Sequence, residues 1–93
     1  MDKLIKDLKK QFKLKKKEVF ELKSLAEWLF SNKGRYAFAI EDYLKNNSYF
    51  FLKQIFNDAM DFLKNSNIPF YPVCIVVRAI IKNIARDSYI IKE

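Results

Sequence analysis

Apolar side chains recur at helical spacing along the whole chain. Stepped at 100° per residue, Leu4, Ile5, Leu8, Phe12, Val19, Leu22, Ala26, Leu29 and Phe30 fall in one stripe about 120° wide. Lys6, Lys9, Lys10, Lys13 and Lys17 fall on the opposite face. This predicts one amphipathic helix of roughly 28–30 residues, with Asp2 as its N-cap and Gly34 just past its end. Such a helix would be about 42–45 Å long, whereas a compact domain of this size is only about 30 Å across. Either the Lys-rich residues 1–17 project as an arm, or the helix breaks near Leu14–Lys17. Lys15 falls inside the apolar stripe and argues against burying the full length.

Three polar or proline-containing breaks follow: Ser31–Gly34, Asn46–Ser48 and Asn65–Pro72. They mark off three more helical segments. In residues 35–45, Ala37, Ile40 and Leu44 share a face. Residues 49–64 turn Leu52, Ile55, Phe56, Ala59 and Leu63 inward and Lys53, Asn57, Asp61 and Lys64 outward, with Ser48 as N-cap. The last helix starts with Pro72 at its first position, where the missing N–H costs nothing. It runs to Ile91 with Val73, Val77, Ile80, Ile81 and Ile84 inward. Val73–Val77 is β-branched enough to form a strand, and Ser88–Lys92 would also suit an extended conformation. A lone strand leaves its backbone groups unpaired, so the helix is favoured. The expected fold is all-α, a single domain (1–93) built as a three- to four-helix bundle with a long basic amphipathic N-terminal helix.

Composition removes most chemistry. The 93 residues include no His, one Cys and one Gly. Histidine supplies most neutral-pH general bases and many metal ligands. A structural zinc site needs about four N or S donors, so no metal site and no cofactor are expected. Cys74 reads as a small buried hydrophobe. Glu18/Glu21 and Asp58/Asp61 are i, i+3 carboxylate pairs of a kind that holds Mg²⁺ through waters and a phosphate. Neither is accompanied by a glycine-rich phosphate loop or a nucleophile, so both read as surface charge and the chain reads as a non-enzyme. The longest apolar run is Val73–Val77, far short of the ~20 residues of a membrane span. No apolar core or cleavage site follows the basic start, which suggests a cytoplasmic protein.

The charge is concentrated. Residues 1–17 carry +6 of the formal +7, an asymmetry that suits a polyanionic partner. The face of Lys6, Lys9, Lys10, Lys13 and Lys17 would touch nucleic-acid phosphates without reading bases. Lying on a membrane surface requires the same pattern, and so does simple solubility. Arg78, Lys82 and Arg86, with Tyr89, line one side of the last helix, where charge meets phosphate and the ring stacks on a base. That side also serves as the solvated face any amphipathic helix needs.

Nine Phe, five Tyr and one Trp exceed what so small a core requires, so some rings should form a binding surface. Phe70 and Tyr71, in a proline-stiffened loop, and Phe50 are the candidates for protein binding; Phe70 folding back onto the core is the other outcome. Trp28, at the stripe's edge, reads as a half-buried anchor. Together these features suggest an accessory subunit that docks on a larger protein, of the DNA replication or repair type, and adds non-specific nucleic-acid contact. Two other classes fit. One is a helix-turn-helix regulator, weakened because its reading helix would open with Tyr49-Phe50-Phe51-Leu52 rather than base-reading residues. The other is a small immunity or antitoxin-like protein. A homo-oligomer is compatible with each.

Overall fold

The computed structural model describes the backbone from Asp2 to Lys92 and the side chains of residues 2–86. Among these residues there are five helices and no strand: α1 (Asp2–Phe12), α2 (Lys16–Ser31), α3 (Ala37–Asn46), α4 (Leu52–Phe62) and α5 (Phe70–Lys92). The domain measures 39 × 24 × 21 Å. α5 is the axis of the fold and packs against each of the other four helices. Its Val73, Val76, Val77 and Ile81 are fully buried, opposite Leu22, Leu25 and Leu29 of α2 and Leu52, Ile55 and Ala59 of α4. The β-branched Val73–Val77 run is therefore helical: tertiary burial outweighs its modest strand preference.

Of the two outcomes open to the first amphipathic stretch, the break occurs: it is two helices, α1 and α2, parted at Lys13–Lys15, which brings the bundle to five helices where three or four were expected. Leu14 N–H bonds to the Lys9 carbonyl at 3.0 Å, and Lys13 between them adopts a left-handed φ of 53°. This is a Schellman stop with lysine where glycine is usual. Leu14, the residue after the turn, is buried beneath it. Lys15 is then the N-cap of α2, and the Glu18 carboxylate accepts its backbone N–H at 2.7 Å, half of a capping box. The break lets α1 fold back on α2 and α5, with Ile5 and Leu8 buried. Residues 2–17 are thus part of the bundle and not an arm.

Several local expectations shift. Gly34 has no positive φ. α2 is instead closed by Asn32, whose backbone N–H and Nδ2 both bond the Trp28 carbonyl, at 3.1 and 2.7 Å. In α3 the buried residues are Ala39, Ile40 and Tyr43, while Leu44 is 43% exposed and Ala37 is also exposed. Leu25, outside the predicted stripe, is buried. Ser48 does not cap α4; its Oγ accepts the Phe50 N–H at 3.2 Å and closes a turn before the helix. α5 starts at Phe70, so Pro72 sits at its third position and not its first. That still lies within the first turn, where a missing N–H is tolerated.

Candidate interaction surface

Lys6, Lys9 and Lys10 of α1, Lys13 of the stop and Lys17 of α2 are all exposed. They do not lie on one helix, because the stop at Lys13 redirects the chain before Lys17. The apolar side of α1 points into the core through Ile5 and Leu8. Docked this way, α1 has no free apolar face to lay on lipid. Among the described residues no helix is long and apolar enough to cross a membrane.

The basic line of α5 divides. Arg78 is half-buried and committed to the fold: its Nη1 donates to the Tyr49 hydroxyl at 2.9 Å, and its guanidinium lies over the Tyr49 ring. It pins α5 to the link between α3 and α4. Lys82 is exposed. Arg86, two turns beyond Arg78, donates to the Asn83 side chain. With Asn83 and Ile80 it borders a groove of about 650 Å³ against Ala26, Glu27 and Phe30 of α2. The side chain of Tyr89 lies outside the described residues.

The aromatic residues form three groups. Tyr43, Tyr49, Phe56 and Phe70 contact one another in sequence, each pair edge to face, with buried Tyr43 and Phe56 alternating with exposed Tyr49 and Phe70. Phe70 is half-exposed at the outer end of this chain. Tyr71 is 58% exposed and its ring meets Phe12 of α1 at 6.0 Å. Both sit in the first turn of α5, not in a rigid loop, and both pack on the domain with one edge while showing the other to solvent. The second group is more exposed. Phe51 is held edge to face between Phe38 of α3 (4.8 Å) and Phe50 (4.9 Å). Phe38 is 70% exposed and Phe50 69%. Sequence reasoning singled out Phe50 but not Phe38, whose outward position follows from the rotation of α3 that buries Tyr43 in place of Leu44.

The third group lines an open depression of about 360 Å³ between the α2–α3 link and α4. Trp28 stacks on Phe62 at 5.3 Å with a 26° interplanar angle and meets Tyr36 at 6.0 Å. The Tyr36 hydroxyl donates to Asp58 Oδ2. Burial first, then this bond and the charge of Asp58, push the Tyr36 phenol up to about 12, against a smaller opposing effect of Arg35. Arg35, Asp61 and Lys64 complete the rim. Asp58 and Asp61, which the sequence suggests only as a surface pair, thus have different settings. Asp58 is oriented by Tyr36, and Asp61 is exposed. Cys74 is buried, and desolvation raises its thiol pKa. No group of three or more His, Cys, Asp or Glu side chains able to hold a metal occurs among the described residues.

These features define a small all-helical domain with a lysine-rich face and clustered, outward-facing aromatic rings. Compared with models of protein families, with curated proteins and with solved structures, the chain matches none.

Proposed function

We propose that this chain is a non-catalytic accessory subunit of the cytoplasm. It docks on a larger nucleic-acid-processing protein through its aromatic surface and touches nucleic-acid backbone with its lysines. The observation that carries this reading is the Phe38–Phe51–Phe50 group. Two rings about 70% exposed, fixed edge to face against a third, are costly to leave in water and lose little freedom on binding. Such anchors are what concentrate binding energy at protein interfaces. The test is recovery of a specific partner from the native host. Phe38→Ser with Phe50→Ser should abolish the recovery that wild type shows, with the melting temperature little changed. Recovery equal to wild type would remove the docking half of the proposal.

The nucleic-acid half rests on Lys6, Lys9, Lys10 and Lys13. Each engaged phosphate steepens the slope of log affinity against log salt by about 0.9 on duplex and about 0.7 on single strands. Three or four engaged lysines therefore give a slope near −3, and changing all four to Gln should flatten it. Equal slopes for the two proteins would reduce this face to a solubilising surface.

One observation favours the helix-turn-helix alternative. Because α4 begins at Leu52, Tyr49-Phe50-Phe51 belong to the link, and the exposed residues of the first turns of α4 are Lys53, Gln54 and Asn57. Gln and Asn are base-reading side chains. On this alternative Gln54→Ala and Asn57→Ala would change sequence preference on duplex DNA. On the leading proposal the lysines touch only the duplex backbone, and there is no duplex preference to change.

A further inference from the structure

We infer that the depression framed by Trp28, Phe62, Tyr36 and Asp58 is a nucleotide site that takes a guanine base. This inference rests on the nucleic-acid half of the proposed function and gives it a second, base-directed contact away from the lysine face.

Three features converge there. First, Trp28 and Phe62 form an offset stack, and Phe62 at its outer end is 44% exposed. A planar base laid on Phe62 would extend the stack by one ring. Base–aromatic stacking is a common means of holding single-stranded nucleic acid. Second, the carboxylate of Asp58 is oriented by the Tyr36 hydroxyl. An ionised carboxylate only accepts hydrogen bonds, and it has acceptor positions beyond the one Tyr36 uses. Guanine offers N1–H and N2–H side by side, a donor pair that matches one carboxylate. Adenine offers donors only at N6. Third, Arg35 and Lys64 stand on the same rim as Asp58 and Asp61. A simple organic cation would gain from the carboxylates and rings but meet the two positive charges of Arg35 and Lys64. A nucleotide uses both signs, donating from its base to the acid and accepting at its phosphate from the cations.

Trp28 is the only tryptophan in the chain, so its fluorescence reports on this site alone. The protein is titrated with GMP, AMP, choline and two short single-stranded oligonucleotides, one containing guanine and one without it. GMP should quench Trp28 saturably and about tenfold more tightly than AMP. Asp58→Asn keeps an acceptor for Tyr36 but replaces half the carboxylate with a donor. It should erase the preference for GMP. Phe62→Leu should weaken GMP about tenfold while far-UV circular dichroism stays unchanged. The variant with Lys6, Lys9, Lys10 and Lys13 changed to Gln should keep the Trp28 response even where its oligonucleotide affinity falls. That separates this site from the lysine face. Quenching by GMP assigns the site to free nucleotides. Quenching by the guanine oligonucleotide but not by GMP assigns it to strands, with the same Asp58→Asn and Phe62→Leu effects expected there. The inference is overturned if neither guanine ligand quenches at millimolar concentration, if choline matches GMP, or if Asp58→Asn leaves the base preference intact.

Discussion

Tyr36 joins burial, a ring contact and a hydrogen bond in one side chain. Its phenol ionises at about 12 in the fold against 10.0 for an ordinary tyrosine. The folded state therefore holds this proton more tightly than the unfolded chain does. The stability it contributes is complete below pH 10 and is lost as pH rises toward 12. Alkaline unfolding curves should show that loss in wild type, and Tyr36→Phe should remove it. At pH 8 the same substitution should cost about 1.5–3 kcal/mol, the net worth of a hydrogen bond to a charged acceptor. Lys13 is the other singular residue. A left-handed backbone is unfavourable for a lysine by about 1–2 kcal/mol relative to glycine's freedom. Part of that difference returns as glycine's larger unfolded-state entropy. Lys13→Gly should therefore raise stability by about 0.5 kcal/mol, measured by urea denaturation, without altering the helix content.

Among the elements, α1 is the one whose role the charge pattern obscures. Its lysines suggest a solvated arm, but Ile5 and Leu8 are almost fully buried, 1% and 2% exposed. Truncating a buried Ile or Leu typically costs 2–5 kcal/mol, the lost transfer energy plus the cavity. Ile5→Ala should thus destabilise the whole domain by about 3 kcal/mol and unfold it in one transition. A separate early loss of α1, with the rest intact, would show that α1 is dispensable to the core. The contrast with α5 is one of degree: α5 touches every other helix, so Ile81→Ala should cost at least as much.

At the scale of the whole molecule, the aromatic residues are distributed in an uneven way. One chain of rings runs from buried Tyr43 to half-exposed Phe70 and braces the bundle. Another, Phe38–Phe51–Phe50, stays outside it. Substitutions in the two groups should therefore behave differently. Phe56→Ala removes a buried ring at the centre of the first chain and should lower stability by about 3 kcal/mol. Phe50→Ser should change stability by less than about 0.5 kcal/mol and act on partner capture instead. Chemical denaturation beside binding on the same pair of variants makes the comparison.

The inward positions of α4 and α5 are legible from the sequence because each carries an apolar residue every three or four positions, and such a stripe has only the core to face. The all-helical class follows from the same period together with a near absence of glycine. The split of the first helix is half legible: its length against the domain's width, and Lys15 inside the apolar stripe, call for a break near Leu14–Lys17 or a projecting arm, but nothing in the sequence chooses between the two or marks Lys13 as the stop. Lysine gives no turn signal, and the apolar phase happens to continue through Lys15–Lys17 without a slip. Only the gain from folding α1 back onto α2 and α5, and from burying Leu14, holds Lys13 in a left-handed backbone. The rotation of α3 is a tertiary choice of the same kind. Leu44 is the more apolar of the two neighbours, but it is Tyr43 that packs on Tyr49 of the α3–α4 link, and the rotation that buries it turns Phe38 outward. The Trp28–Tyr36–Asp58–Phe62 depression likewise draws on two segments separated by more than twenty residues. No spacing rule brings a tyrosine in one link to an aspartate on a later helix; that juxtaposition comes from how α2 and α4 pack.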